Sequence, residues 1–205
     1  MGDWPDLLGP VEEVAPRLLG AVVRHGPVAV RIVEVEAYGS SDDAGSHAAR
    51  GPTPRSAIMF GPAGRLYCYL SYGRHVCANV VVGLDGEAGA VLLRAGEVVA
   101  GQELVAQRRP GVARTALARG PALLTRCLAI GLDHDGVDLS QGPVLLEGGS
   151  SETPPIVAGP RVGLRLEAER PWRFFIRDHP CVSPYRRHPQ ASSTPAPGVR
   201  EDPIW

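Results

Sequence analysis

Apolar and polar positions alternate most clearly from Val28 to Tyr38, and period-two alternation of this length predicts a β-strand. Strict alternation puts Val30, Ile32, Glu34, Glu36 and Tyr38 on one face and Val33, Val35 and Ala37 on the other. Both faces begin apolar, which predicts a central strand, and one turns polar as the strand ends, as expected where a strand delivers a site. Similar runs predict strands at Arg65 to Tyr72, Val76 to Val82, Ala90 to Ala95, Pro143 to Glu147, Arg161 to Glu167 and Trp172 to Arg177. A short helix is predicted from Val11 to Leu19, closed by Gly20. Two more are predicted, at Glu97 to Arg108 and Pro121 to Ile130, the last with proline at its start and Gly131 just past its end. Strands and helices interleave irregularly, which favours an α+β layout over a regular βαβ series. There is no internal repeat. The predicted organisation is one domain over residues 1–188 and a Pro/Ser-rich mobile tail over 189–205, whose Trp205 could dock.

Composition narrows the chemistry. The chain has 205 residues, 44% hydrophobic, with a formal net charge of -1, so it is long enough for a core without covalent staples. Its four cysteines form no Cys-x-x-Cys pair, which argues against a zinc ribbon, a ferredoxin-type cluster or a thioredoxin motif and favours buried thiols. All 21 basic residues are arginine. The absence of lysine excludes a lysine Schiff base and a Walker P-loop. No stretch approaches the roughly 20 apolar residues of a membrane span, and the opening residues lack a signal-peptide pattern, so a cytoplasmic protein is expected.

The charge is uneven. Residues 1–100 carry 8 Arg against 11 acids, and residues 101–205 carry 13 against 11. Arg108, Arg109, Arg114, Arg119 and Arg126 form one basic stretch, and Arg165, Arg170, Arg173, Arg177, Arg186 and Arg187 a second. Such clusters suit phosphate contacts, and they equally suit solvated faces.

Candidate chemistry concentrates in residues 31–55, where two glutamates, a tyrosine, an acidic loop and His47 follow one another. Two carboxylates in a partly buried cleft repel each other's charge, which suits one of them to acid or base work. Glu34 reads as the partner of an arginine and Glu36 as the functional carboxylate. Glu34, Glu36, Asp42, Asp43 and His47 could alternatively hold a divalent metal. Against this, Ser40-Ser41-Asp42-Asp43 reads as a helix N-cap with acids in the first turn. A second concentration, residues 59–79, holds three of the five tyrosines. Tyr67 and Tyr69 share a strand face and Tyr72 sits at a Tyr-Gly turn, where a ring can stack on or wedge between bases or simply complete an aromatic strand.

The segments RIVEVEAYG, SHAARGPTPR, MFGPAGRLYCYLSYG, VLLRAGE, GPALLTRCLAIG and RVGLRLEAERPWRFFIRDHPCVS resemble, in order, those of the alkyladenine (3-methyladenine) DNA glycosylases of the monomeric mammalian type. The resemblance runs from about Leu18 to Ser183. It implies a single mixed domain around a curved, mainly antiparallel sheet, like a formyltransferase C-terminal domain. It also implies a monomer that flips a damaged purine out of double-stranded DNA and hydrolyses its glycosidic bond without metal or other cofactor, leaving an abasic site.

By the same resemblance Glu36 is the general base, and Arg94 with the carbonyl of Val162 helps to hold the water. The base lies between Tyr38 and His47 on one side and Tyr69 on the other, Asn79 lines the pocket, and Tyr72 is the wedge. Arg74, His75 and Leu123 depart from the family pattern near the wedge and at a phosphate contact, and the long amino-terminal extension of the mammalian enzymes is missing. Two other readings compete: a metal-dependent nuclease using the acidic loop, and a non-catalytic reader of damaged DNA. A bacterial protein of this kind would associate with the nucleoid. Lesion choice among 3-methyladenine, 7-methylguanine, hypoxanthine and ethenoadenine turns on pocket hydrogen bonds.

Overall fold

The computed structural model describes residues 4–149 and 155–191; residues 192–205 of the proposed tail, Trp205 among them, lie outside it. Its described residues form one antiparallel sheet of nine strands, curled into a half-barrel. The strands are β1 (Val22–His25), β2 (Val28–Tyr38), β3 (Leu66–Ser71), β4 (His75–Val81), β5 (Ala90–Ala100), β6 (Ala118–Arg119), β7 (Val144–Glu147), β8 (Ile156–Gly159) and β9 (Arg173–Ile176). Three short helices, α1 (Val11–Val14), α2 (Gln102–Arg108) and α3 (Pro121–Leu128), complete it. Valine-rich β2 is central, as its pattern predicts. It pairs along one edge with β5, and along the other first with β1 and then with β9.

The faces of β2 differ from strict alternation. The ladder with β5 skips Val33 on one strand and Arg94 on the other, so the register slips within the strand. A one-residue bulge moves every later side chain to the opposite face. Val28, Val30 and Ile32 therefore point into the main core together with Val35 and Ala37, beyond the bulge. Glu34, Glu36 and Tyr38 point the other way, and Val33 packs there with Ala95 and Cys181. Gly96 permits this close approach, because a Cβ on it would lie 2.3 Å from Val30 Cγ1 and 2.6 Å from the Arg31 carbonyl oxygen.

Other expectations are corrected by longer-range packing. The strand expected at 161–167 is a series of turns, and no helix starts at Ser40, where residues 40–50 also form turns. Strand β5 continues to Ala100, so α2 begins only at Gln102, after left-handed Gly101. Residues 11–18 divide into one α-helical turn and a 3-10 turn, the second of which carries Pro16. Helix α3 ends at Leu128 with Ala129, not a glycine, in the left-handed cap. Strands β1 and β8, absent from the sequence reading, exist by pairing with β2 and β7 and with β9 respectively.

All four cysteines are buried and unbridged. Among the described residues no helix is long and apolar enough to cross a membrane. Part of the basic stretch is structural, because Arg108 donates to the Cys127 carbonyl, Arg109 to those of Ala116 and Leu117, and Arg119 to that of Val182 at 2.7 Å.

Candidate active site

The face of β2 opposite the main core presents both glutamates fully buried, yet their surroundings differ. The Glu34 carboxylate is saturated. It accepts from Arg94 Nε at 2.9 Å, Arg173 Nε at 2.7 Å, the Ser183 amide at 2.7 Å and the Ser183 hydroxyl at 2.9 Å. Burial alone would raise its pKa, but Arg94 and Arg173, with the hydrogen bonds, outweigh it and hold the carboxyl below the usual range. Glu34 is thus the arginine-paired carboxylate its sequence position suggested.

Glu36 has fewer charged contacts. The amide of Val162 donates to its Oε1 at 2.7 Å, the Tyr38 hydroxyl donates to Oε2 at 2.8 Å, and Arg94 Nη1 lies 3.3 Å from Oε2. Arg94 joins the two carboxylates. Burial opposes its charge, but Glu36 and Glu34 more than compensate, so its pKa is raised and it stays cationic. Burial, and then the neighbouring Glu36, push the Tyr38 phenol well above its ordinary range, so Tyr38 acts as a donor. Val162 reaches the site through its N–H, a contact that the sequence reading, which assigned its carbonyl, did not contain.

Tyr38 also borders a cavity of about 90 Å³ whose other walls are His47, Tyr67, Tyr69 and Asn79, with Met59 and Leu164 closing it. Alternation along β3 places Tyr67 and Tyr69 on this side, and the β3–β4 register sets Asn79 opposite Tyr67. Asn79 Nδ2 donates to the Tyr67 carbonyl at 3.0 Å. His47 Nδ1 lies 2.9 Å from the Tyr67 hydroxyl, and its ring meets Tyr69 edge to face at 4.7 Å. These two rings do not stand parallel with a base-thick gap between them. Although His47 as a residue is exposed at the pocket mouth, the packing of its ring, and secondarily the charge of Arg55, lower its pKa to about 4. The pocket wall is therefore neutral at pH 7. Arg55 lies over Tyr69, 4.9 Å from the ring centroid.

Tyr72 stands apart from this pocket. It and Gly73 are the central residues of the β3–β4 turn, with φ of 50° and 69°, the sign that suits the twist of a hairpin. Positive φ is uncommon for a bulky residue, and the residue is 87% exposed. Tyr72 is not among the described residues packed against any of the core clusters.

The acidic loop is consumed internally. Asp43 is fully buried and accepts two 2.7 Å hydrogen bonds from Arg161 as well as the amides of Gly39 and Gly45, while Asp42 pairs at the surface with Arg170. No three His, Cys, Asp or Glu side chains converge as ligands among the described residues. The metal-binding reading of this loop is therefore not supported by its geometry.

Sequence reasoning named Glu36, Tyr38, His47, Tyr69, Asn79 and Arg94, and the fold brings these side chains together. It missed Met59 and Leu164, for which the sequence carries no signal. It also missed the role of Asp43, whose partner is remote in the chain.

A buried carboxylate thus lies beside a pocket walled by aromatic side chains, joined to it through the hydroxyl of Tyr38. The chain belongs to the methylpurine-DNA glycosylase family, whose model matches residues 6–180. It is similar to curated relatives that each carry the name "Putative 3-methyladenine DNA glycosylase". The Frankia casuarinae protein is 55% identical over 186 residues, covering 85% of this chain and 88% of the relative. The Nocardia farcinica protein is 54% identical over 186 residues, covering 86% and 88%. The Cutibacterium acnes protein is 47% identical over 185 residues, covering 87% and 97%.

Proposed function

We propose that this protein is a monofunctional DNA glycosylase of base-excision repair, acting as a monomer on alkylated and deaminated purines in double-stranded DNA. The observation that carries the mechanism is the contrast between the two buried glutamates. Glu34 is enclosed by two arginines and a serine, whereas Glu36 is held by the Val162 amide and by the hydroxyl of Tyr38, a residue that lines the aromatic pocket.

In this reading Tyr72 enters the stack at the tip of its hairpin and the displaced base turns into the pocket. Unstacking costs a few kcal/mol and is cheapest at a damaged or mispaired base. The base settles against Tyr38 and Tyr69 as His47 turns aside, with Asn79 at its edge. A purine alkylated at N3 or N7 carries positive charge and leaves readily as its bond to C1′ breaks. Charge then develops on the sugar, as in other glycoside hydrolyses. Glu36 takes the proton of the attacking water and stabilises the cationic sugar. Arg94 keeps Glu36 in place, and the Val162 carbonyl completes the water's hydrogen bonds. Residues 1–188 act as one domain, and the enzyme works in the cytoplasm on chromosomal DNA.

The test is a panel of duplexes, each with one of the four lesions, incubated with the protein in EDTA and then treated with hot alkali to cut abasic sites. Alkali-dependent cleavage at 3-methyladenine with no loss in EDTA is expected. Loss of activity in EDTA, or binding without cleavage, overturns the proposal.

A further inference from the structure

A separate buried charged pair lies behind the pocket, and the mechanism above gives it no role. Arg161 and Asp43 are both fully buried and joined by a two-pronged ion pair with both contacts at 2.7 Å. Arg161 also donates to the Ala37 carbonyl at 2.9 Å. Its guanidinium carbon lies over the Tyr38 ring, 4.8 Å from the centroid, and over the Trp172 ring at 5.5 Å. Its Nε has no hydrogen-bond partner among the described residues.

A buried ion pair is weak evidence for stability, since apolar residues of similar volume often serve as well or better. An incompletely satisfied one is a poorer stabiliser still. What distinguishes this pair is the set of parts it joins. Arg161 directly precedes Val162, whose amide holds Glu36 Oε1, and the cation lies on Tyr38, whose hydroxyl holds Oε2. Asp43 fixes the amides of Gly39 and Gly45, and thus the loop that carries His47. The end of β2, the loop at 39–47 that follows it and the turn at 161–164, which lies 118 residues beyond Asp43 at Arg161, meet at one pair of side chains. A Cβ on Gly45 would approach Arg161 Nη2 at 3.0 Å and Leu164 at 2.9 Å, so the loop is fitted closely to the cation.

We propose that the buried Arg161–Asp43 pair positions the excision centre, setting the Tyr38 wall and the Glu36 carboxylate relative to each other from behind. Both residues act through Tyr38, Val162 and the His47 loop, not on the base itself. The proposal rests on the assignment of Glu36 and Tyr38 made above. Positional errors of roughly 1 Å cost about 100-fold in rate, so such a frame matters more to turnover than to binding.

The experiment replaces the pair by apolar residues in one protein, Arg161→Met with Asp43→Leu, and compares it with wild type. Three quantities are read: the melting temperature, affinity for an undamaged duplex, and the single-turnover excision rate at saturating enzyme. The expected result is a rate about 30- to 100-fold lower at a temperature where the variant is fully folded, with undamaged-duplex affinity within about threefold and a lowered melting temperature, since the Gly39 and Gly45 amides and the Ala37 carbonyl lose their partners. A folded double variant with a rate within about threefold of wild type overturns the proposal, as does a rate loss that disappears at temperatures where the variant is fully folded.

Should the double variant not fold, Arg161→Lys keeps the charge and loses the fork and the flat face. A fall of about tenfold or more supports positioning and an unchanged rate overturns it. Glu36→Gln is run in parallel. If it stays active, the site assignment itself fails. An inactive Glu36→Gln beside a fully active pair variant overturns the positioning role alone.

Discussion

Replacing each buried glutamate by glutamine should separate catalysis from stability. In Glu36→Gln the new side chain keeps its shape, and its carbonyl oxygen can still accept the Val162 amide now 2.7 Å from the carboxylate. Its NH2 then faces the Tyr38 hydroxyl and Arg94, both donors in the native protein. Tyr38 can rotate its proton and accept, while Arg94 retains Glu34 at 2.9 Å. The net structural cost is about 1–3 kcal/mol, one badly matched buried polar contact. At roughly 2–4 °C per kcal/mol for a protein of this size, the melting temperature falls by about 2–12 °C.

Glu34→Gln is a different perturbation. It removes the negative charge from between Arg94 and Arg173 and mismatches at least one of four donors. Breaking a buried pair in this way costs about 3–5 kcal/mol. Loss of a general base, by contrast, lowers rate by about 100- to 10,000-fold. Glu36→Gln should therefore melt above Glu34→Gln but excise far more slowly than folded Glu34→Gln. The assay is single-turnover release from a duplex carrying one lesion, read after alkaline cleavage, alongside thermal melts. A Glu36→Gln protein within about threefold of wild-type rate, or a reversed order of melting temperatures, would refute the reasoning.

Tyr72→Ala should slow excision at a fully paired lesion by about tenfold or more yet leave a bulged lesion nearly unaffected, with no change in melting temperature for a residue this exposed; equal losses on both duplexes would return Tyr72 to a packing role. Because His47 titrates near 4 when folded and near 6.5 when unfolded, it favours folding above pH 6.5, and that contribution is lost as pH falls from 6.5 towards 4. NMR titration should show no His47 inflection near 6.5, and Arg55→Gln should move its midpoint upward. Gly96→Ala should destabilise by about 1–3 kcal/mol or more through the collision with Val30 and the Arg31 carbonyl, visible as a lower denaturant midpoint; an unchanged midpoint would mean that the bulge does not need glycine.

Local chemistry made part of this molecule legible from its sequence. The full span of β2 could be read because β-branched and other strand-forming residues recur along it with no turn-former between Val28 and Tyr38, and Tyr67, Tyr69 and Asn79 follow from simple alternation on a hairpin. The facing of β2 could not be read. Its bulge depends on Gly96, over sixty residues away, and alternation presumes an unbroken ladder. Arg161 was read as part of a strand for a similar reason. Its apolar neighbours suggest one, but its conformation is decided by a carboxylate 118 residues earlier. Glu34 could be assigned to an arginine partner from residue type alone, although which arginines it meets depends on how β5 and β9 flank β2.

The pairing of β2 along one edge with β1 and then with β9 has a consequence for the order in which the protein matures on the ribosome. Residues 28–31 find β1 as soon as the first hairpin emerges, but residues 34–36 wait for residues 173–176, and Glu34 for Ser183 as well. Synthesis at about 5–20 residues per second leaves the two carboxylates without Arg173, Ser183 and the Val162 amide for several seconds. A nascent chain can thus build most of its sheet while its reactive centre is still open to water. The centre proposed to cut glycosidic bonds is completed only by residues 162–183, so an aborted product that ends before residue 160 carries the pocket tyrosines without it.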